Sequence, residues 1–376
     1  MFLRNDAVNR VNLHSGVQAL AQGAGGVFVL VYFLQAGLTI PQALLAYAGI
    51  MVGRFIIRPA VLPIAKPLGI KPMLVAGAIA QALPYFLLAE VQGVGWPLFA
   101  VIGLWALAGV VYWNAYNAYF SAIGDAEHRG HQLGVREALV AAAGVLGPIL
   151  GAWALIAAGP RWTFVLVGLV ELLAVLPLIG LPNIPVPASA PGVLRLARPA
   201  AIYNALDGLM DASYVYVWQI ALFVSLGESL AAYGGAMALA GLVGGGCALL
   251  LGRHIDLGFG RRAVWLVFGI GAASVLLRAA SLDHVWLAVA ASGLTAIFMP
   301  LLGPVIGASI YNMAKASPCT LRYHLATEAG WDVGGVTGCV VCAGVIHAGG
   351  SLSLAILFGL PAVLACGWWL RQLYPA

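Results

Sequence analysis

Long apolar segments follow one another along almost the whole chain, and polar residues, proline or glycine separate them. Each segment is about 20 residues long, which is the length that an α-helix needs to cross the hydrocarbon core of a membrane. Hydrophobic residues make up 62% of the chain and charged residues only 8%, far from the composition of a soluble domain. We therefore expect an all-α polytopic membrane protein. The twelve predicted spans are 12–36, 40–65, 72–90, 96–120, 133–158, 162–181, 200–226, 229–251, 262–280, 284–312, 322–347 and 351–371.

The basic residues lie at alternate connections between these spans. Of the 18 lysines and arginines, only Arg161 and Arg278 fall on the other side of the predicted topology. The positive-inside rule then places both termini in the cytoplasm. We expect the protein to lie in the cell membrane, which is the inner membrane if the protein is bacterial. The net charge of +5 is thus explained by topology and does not indicate a nucleic-acid partner. The first ten residues lack a small-residue cleavage site, so we do not expect a signal peptide.

Two carboxylates, Asp207 and Asp211, lie within the seventh predicted span. An ionised carboxylate in hydrocarbon costs roughly 2.5–3.5 kcal/mol, so this face must look into protein or water. Helical spacing predicts that the same face carries Tyr203, Tyr214 and Trp218. We interpret the stripe as a substrate or proton site. A buried carboxyl that only joins helices is the structural alternative.

Two other spans carry polar side chains at helical spacing. In span 1, His14, Gln18 and Gln22 are four residues apart, and such amides either join helices or line a cavity. In span 4, an aromatic and amide wall is predicted from Tyr112, Tyr116 and Asn117. An aromatic belt at the membrane edge is the alternative for span 4.

Charged residues also occur in spans 2, 6 and 11. In span 11, His324, Glu328 and Asp332 step by four residues, which predicts a proton or ion route. In span 2, Arg54 and Arg58 are expected to extend toward the membrane surface. Glu171, near the middle of span 6, has no role that the sequence explains.

A proline-rich segment near the middle of the chain indicates a boundary between two halves. The predicted division is an N-terminal bundle at 1–181, a cytoplasmic linker at 182–199 and a C-terminal bundle at 200–376. The halves show a faint repeat at an offset of 191 residues, in which Glu137 matches Glu328 and Gly144 matches Gly335. We therefore expect two pseudo-symmetric bundles of six helices.

The connection after span 8 carries Gly252, Asp256, Gly260, Arg261 and Arg262, which is similar to the charged loop of the major facilitator superfamily. The segment GVLGPILG (144–151) also resembles the helix 5 pattern of that family's antiporters. The resemblance covers nearly the whole chain. It implies alternating access of two six-helix bundles around a central site lined by spans 1, 4, 7 and 10. It also implies a gating loop formed by Asp256, Arg261 and Arg262.

These features predict a secondary active transporter, and proton-coupled export of a cationic or amphipathic organic molecule is the first hypothesis. Protons and the substrate would compete for Asp207 and Asp211, with His324, Glu328 and Asp332 on the proton route. The alternative is a symporter or facilitator for uptake of a sugar or organic acid. The third hypothesis is a transporter-like protein that acts as an assembly partner or receptor. We find no enzyme motif in the sequence, and we expect no cofactor and no metal. The expected partners are a small-molecule substrate, protons and the lipid bilayer. We expect the protein to be a monomer.

Overall fold

The computed structural model describes residues 5–125, 129–255 and 260–373, and all regular elements in these ranges are helical. Six of the predicted spans are single helices, and others are divided by a short interruption. In chain order the helices are Asp6–Ala24 with Val29–Gln35, Ile40–Leu68, Ile70–Leu88, Trp96–Ile123, Arg129–Leu173, Val193–Asp211 with Trp218–Ser225, Leu230–Ile255, Gly260–Ser281, Val285–Thr295 with Phe298–Ala316, Thr320–His347, and Leu352–Leu357 with Gly359–Leu373.

The number of spans follows from these helices and their breaks. Within the described ranges, nine helical segments are long and apolar enough to cross a membrane by length and composition. One of them, Gln132–Leu178, contains two spans because the chain turns at Gly159, which has a positive φ of 77° and precedes Pro160. Spans 7 and 10 are not among the nine, because an interruption divides each of them into shorter helices. The fold therefore has the twelve spans that the hydropathy pattern predicts.

Span 1 and span 7 are both interrupted beside polar side chains. Span 1 breaks after Ala24 and continues through a 3₁₀ turn at Gly26–Phe28. Span 7 widens into a π-helical turn at Ala212–Val217. Backbone irregularity at membrane depth is tolerated where protein surrounds it, since another group can then bond the freed carbonyls. In span 7 the carbonyl of Tyr214 accepts a hydrogen bond of 2.6 Å from Arg278 Nη1.

The two halves meet mainly along two pairs of spans. Spans 5 and 8 approach backbone to backbone, because a Cβ added at Gly241 would lie only 2.6 Å from the carbonyl carbon of Gly144. Spans 2 and 11 meet at Gly335, where an added Cβ would lie 3.1 Å from Met51 Cε. Gly144 and Gly335 are the pair that the 191-residue repeat predicts to be equivalent. Both lie at the interface between the halves, in agreement with the pseudo-symmetry.

The connection between the halves is extended and then helical. No helix is assigned from 179 to 192, and the first helix of span 7 begins at Val193, inside the predicted linker. The carbonyl of Ile184 accepts a bond of 2.9 Å from the backbone nitrogen of Ile70. Arg322 Nη2 donates to the carbonyl of Ala188 at 2.6 Å. The connection is therefore bonded to spans 3 and 11 at the end of the bundle that carries most basic residues, which we call the basic end.

Candidate functional site

A cavity of about 770 Å³ lies between the two halves. Spans 1, 2, 3, 4, 5, 7, 10 and 11 contribute to its wall, so it includes the four spans that the family resemblance implies. The volume is in the range of small-molecule sites. Most of the wall is apolar or aromatic. The aromatic residues are Tyr47, Tyr85, Trp105, Trp113, Tyr216, Tyr311 and Trp331.

The two carboxyls of span 7 lie at the cavity or directly behind its wall. Asp207 is part of the wall. Asp211, one turn further along, accepts a hydrogen bond of 3.3 Å from the indole nitrogen of Trp331, which is itself in the wall. In the part of the chain that the structure describes, neither carboxyl has a lysine, arginine or histidine within 4.0 Å. The two groups therefore carry their negative charge, or a proton, without a basic neighbour.

The aromatic stripe predicted beyond Asp211 is interrupted by the π-helical turn. Such a turn adds about one residue to the helical repeat and so shifts the face of every later side chain. Tyr216 and Gln219 consequently line the cavity. Tyr214 and Trp218 pack instead inside the C-terminal half, where the Arg278 guanidinium lies 4.0 Å and 4.7 Å from their ring centres. Tyr203 is also buried.

Span 2 and span 11 are joined by buried ion pairs across the interface of the halves. Arg54 Nη2 lies 3.0 Å from Glu328 Oε2, and Arg54 Nε lies 3.0 Å from Asp332 Oδ1 without the angle of a hydrogen bond. Arg58 Nη2 donates to Asp332 Oδ2. Asn117 Nδ2 adds a bond of 3.0 Å to Glu328 Oε1. The two positive and two negative charges therefore neutralise one another inside the protein.

The prediction that Arg54 and Arg58 extend to the membrane surface is wrong, since each is only 6% exposed. Both arginines point inward because two carboxylates face them from span 11. The sequence does carry a signal for this pairing: the arginines are four residues apart in span 2, and Glu328 and Asp332 are four apart in span 11. Complementary spacing on two helices allows two pairs to form at once.

The remaining member of the span 11 ladder lies toward the basic end. His324 Nε2 is 2.9 Å from Ser121 Oγ of span 4, and the histidine contributes to the cavity wall together with Glu328. Asp332 is fully buried behind them. The ladder therefore follows the interface between the halves.

Gln18, Tyr112 and Tyr116 lie inside the N-terminal half. Tyr112 Oη donates to Gln18 Oε1 and is 2.7 Å from His14 Nε2, while Tyr116 Oη is 2.7 Å from Ser15 Oγ. These bonds join spans 1 and 4, and all of the side chains involved are buried. By contrast, Gln22 and Asn117 line the cavity.

The predicted gating loop cannot be placed. Asp256 is outside the described residues, and so are the side chains of Arg261 and Arg262.

Comparison with known proteins agrees with this architecture. Residues 15–202 match the family described as the Major Facilitator Superfamily, which is half of the 376-residue chain. The human organic anion transporter MFSD10 (TETRAN) is similar in structure, with a TM-score of 0.69 and 16% identity over 97% of this chain and 99% of that chain. The E. coli fucose:proton symporter FucP is similar with the same TM-score and identity, over 99% and 100% of the two chains. At this identity the likeness concerns the fold.

No match was found among curated protein sequences. The family match, the twelve spans and the cavity between two pseudo-symmetric halves lead to one assignment. This multi-pass membrane protein belongs to the major facilitator superfamily of transporters.

Proposed function

We propose that the protein is a secondary active transporter that exports a cationic or amphipathic small organic molecule in exchange for protons. In this proposal both termini lie in the cytoplasm, and the basic end is the cytoplasmic end. The observation that carries the proposal is the position of Asp207, a carboxyl in an aromatic cavity wall with no basic group within 4.0 Å among the described residues.

The charges around the cavity favour a cation. Arg54 and Glu328 are both in the wall and are paired with each other. Arg136 is in the wall and is 2.7 Å from the carboxylate of Glu137. Among the described residues of the wall, Asp207 is then the carboxyl without a basic partner. An organic cation and a proton would compete for it, and this competition is sufficient for exchange.

The aromatic side chains favour an amphipathic substrate. Tyr47 of span 2 and Tyr216 of span 7 both line the cavity and contact each other, with ring centres 4.7 Å apart. Trp331 adds a large apolar surface beside Asp211. Aromatic faces attract organic cations by roughly 0.5–2 kcal/mol each, so several of them around one carboxyl would retain a cation of varied shape.

Alternating access would require the contacts at each end of the cavity to break in turn. Toward the basic end, Tyr311 Oη of span 10 donates to Asn117 Oδ1 at 2.9 Å, and Lys315 Nζ donates to the carbonyl of Gly124. Toward the other end, Tyr233 Oη of span 8 donates to the carbonyl of Val27 at 3.0 Å. All three bonds join one half to the other.

Transport of ethidium by the reconstituted protein tests the proposal. In vesicles with a pH gradient equivalent to about 100 mV, one proton exchanged for one ethidium contributes about 2.3 kcal/mol, roughly fiftyfold accumulation. We expect Asp207→Asn to abolish accumulation and Asp283→Asn, which removes an exposed carboxylate, to leave it unchanged. Unchanged accumulation and pH dependence in Asp207→Asn would refute the assignment.

Symport or facilitated uptake of a sugar or organic acid is the second candidate. Amides and arginine in the wall, namely Gln22, Asn117, Gln219 and Arg136, suit hydroxyl or carboxylate groups. FucP, which has the same fold, is a fucose:proton symporter. Uptake of labelled fucose or lactate that an uncoupler abolishes, with no transport of ethidium, would favour this candidate.

A further inference from the structure

A second carboxyl without a basic neighbour lies in the N-terminal half. Glu171 is in span 6 and is only 1% exposed. At 1.5 Å per residue it is about 17 Å from the turn at Pro160, close to the middle of the membrane. Among the described residues, no lysine, arginine or histidine lies within 4.0 Å of its carboxylate oxygens. The sequence suggested no role for it.

The groups around Glu171 come from three spans and are neutral and polar. Gln22 Nε2 of span 1 donates to Glu171 Oε1 at 3.0 Å. Tyr85 of span 3, whose hydroxyl lies beside the amide of Gln22 at Gly26, and Tyr112 of span 4 are the titratable side chains that face the carboxyl. Tyr85 Oη is buried, and no group among the described residues meets the geometry of a hydrogen bond to it. His14 of span 1 is bonded to the carbonyl of Ala174, one turn further along span 6.

The side chain that bonds this carboxyl also lines the cavity. Gln22 is part of the cavity wall, and so is Tyr85, whereas Glu171 is not. The two wall residues come together at Gly26, where an added Cβ would meet the amide oxygen of Gln22 and lie 3.3 Å from Tyr85 Oη. Span 1 breaks at this point. A change in the angle of the break would therefore move the amide of Gln22 relative to Glu171.

We propose that Glu171 is a second proton-binding site, and that Gln22 controls its access to water in the central cavity. A buried carboxyl without a cation partner is held in its neutral form. When Gln22 moves aside, the O–H bond of the acid breaks, the proton passes to cavity water and the carboxylate remains hydrated. The proposal rests on the transport function proposed above, because the transport cycle supplies the movement. Each half then contributes one proton-carrying carboxyl, Glu171 and Asp207.

Infrared difference spectra of the purified full chain, between acid and alkaline buffer, test this assignment without knowledge of the substrate. A protonated carboxyl has its own C=O stretching band. We expect Glu171→Gln to lose one such band, while its amide oxygen still accepts the bond from Gln22. The exposed Glu90→Gln is the control and should keep every buried-acid band. Gln22→Met leaves Glu171 in place but removes its hydrogen-bond donor, so we expect the same band to shift in frequency.

Three results would overturn the proposal: unchanged bands in Glu171→Gln, a Glu171 band that persists at every pH, or a band that responds to Na⁺ and not to pH. The Asp207→Asn spectrum and the ethidium assay report on the proposed function separately. A normal Asp207 result together with an inert Glu171 would refute this inference alone.

Discussion

Asp332 holds two arginines of the other half, so its neutralisation should weaken the closure of the basic end. The side chain is fully buried and contacts both Arg54 and Arg58, whereas Glu328 contacts only Arg54 of these two arginines. Asp332→Asn would leave two guanidinium groups with one carboxylate. Removing one partner of a buried ion pair typically costs about 3–5 kcal/mol. Since about 1.4 kcal/mol is a factor of ten, the closed state should become less populated relative to the open state by roughly a hundredfold to a few thousandfold.

The double variant Arg58→Met with Asp332→Asn tests whether charge balance is the cause. It removes one positive and one negative group and keeps the pair between Arg54 and Glu328. We expect it to restore most of the closure that Asp332→Asn loses. Glu328→Gln should have a smaller effect than Asp332→Asn because it breaks one pair and leaves Arg54 beside Asp332.

Distances between spin labels at Lys66→Cys in span 2 and Ala316→Cys in span 10 measure this equilibrium. Both positions are exposed at the basic end, and four of the five native cysteines are buried, so Cys247→Ser is the main background change needed. Asp332→Asn should populate a longer distance. An unchanged distance distribution, or a double variant as open as the single one, would refute the reasoning.

Two further predictions concern packing. Gly241→Ala places a methyl group 2.6 Å from the carbonyl carbon of Gly144, so we expect the free energy of unfolding to fall by about 1–3 kcal/mol, measured by thermal unfolding of the purified protein. The control, Gly235→Ala in the same span, meets nothing within 4 Å and should leave stability unchanged. Equal melting temperatures of the two variants would contradict this prediction. Arg278→Met loses the hydrogen bonds of Arg278 to Thr295 Oγ1 at 2.8 Å and to the Tyr214 carbonyl. Because hydrogen bonds to charged groups contribute about 1.5–3 kcal/mol each, the melting temperature of this variant should fall well below that of Arg161→Met, which changes an exposed arginine. Equal melting temperatures would show that Arg278 does not stabilise the π-helical turn.

The sequence was sufficient for the twelve spans and the two related halves, because hydropathy and a repeat are local or periodic signals. It also identified Gln22, Asn117 and Asp207, which the structure places in the cavity wall. It could not place Tyr214 and Trp218, since a regular helical repeat cannot anticipate the π-helical turn that changes their face. The substrate-binding and proton-coupling roles of all these residues stay predictions.

The pairing of Arg54 and Arg58 was missed for another reason. Each arginine was interpreted from its own span, and the partner carboxylates lie more than 270 residues away in the sequence, at a separation of 274. Glu171 was unexplained for the same reason, because its bond to Gln22 crosses 149 residues. Charges in membrane spans are best interpreted in pairs of spans that share the same spacing.

The glycines that join spans 5 and 8 give the two edges of the molecule different mechanical properties. Along that edge, backbone faces backbone at Gly144 and Gly241, so no side chain stands between the two helices at this contact. Along the edge of spans 2 and 11, every tilt stretches charged contacts. Among the described residues, the ion pairs that resist tilting are therefore concentrated on the edge of spans 2 and 11. Substitutions of the charged residues on the edge of spans 2 and 11 would therefore change the turnover rate. On the edge of spans 5 and 8, the close backbone packing leaves no room for an added side chain at Gly241.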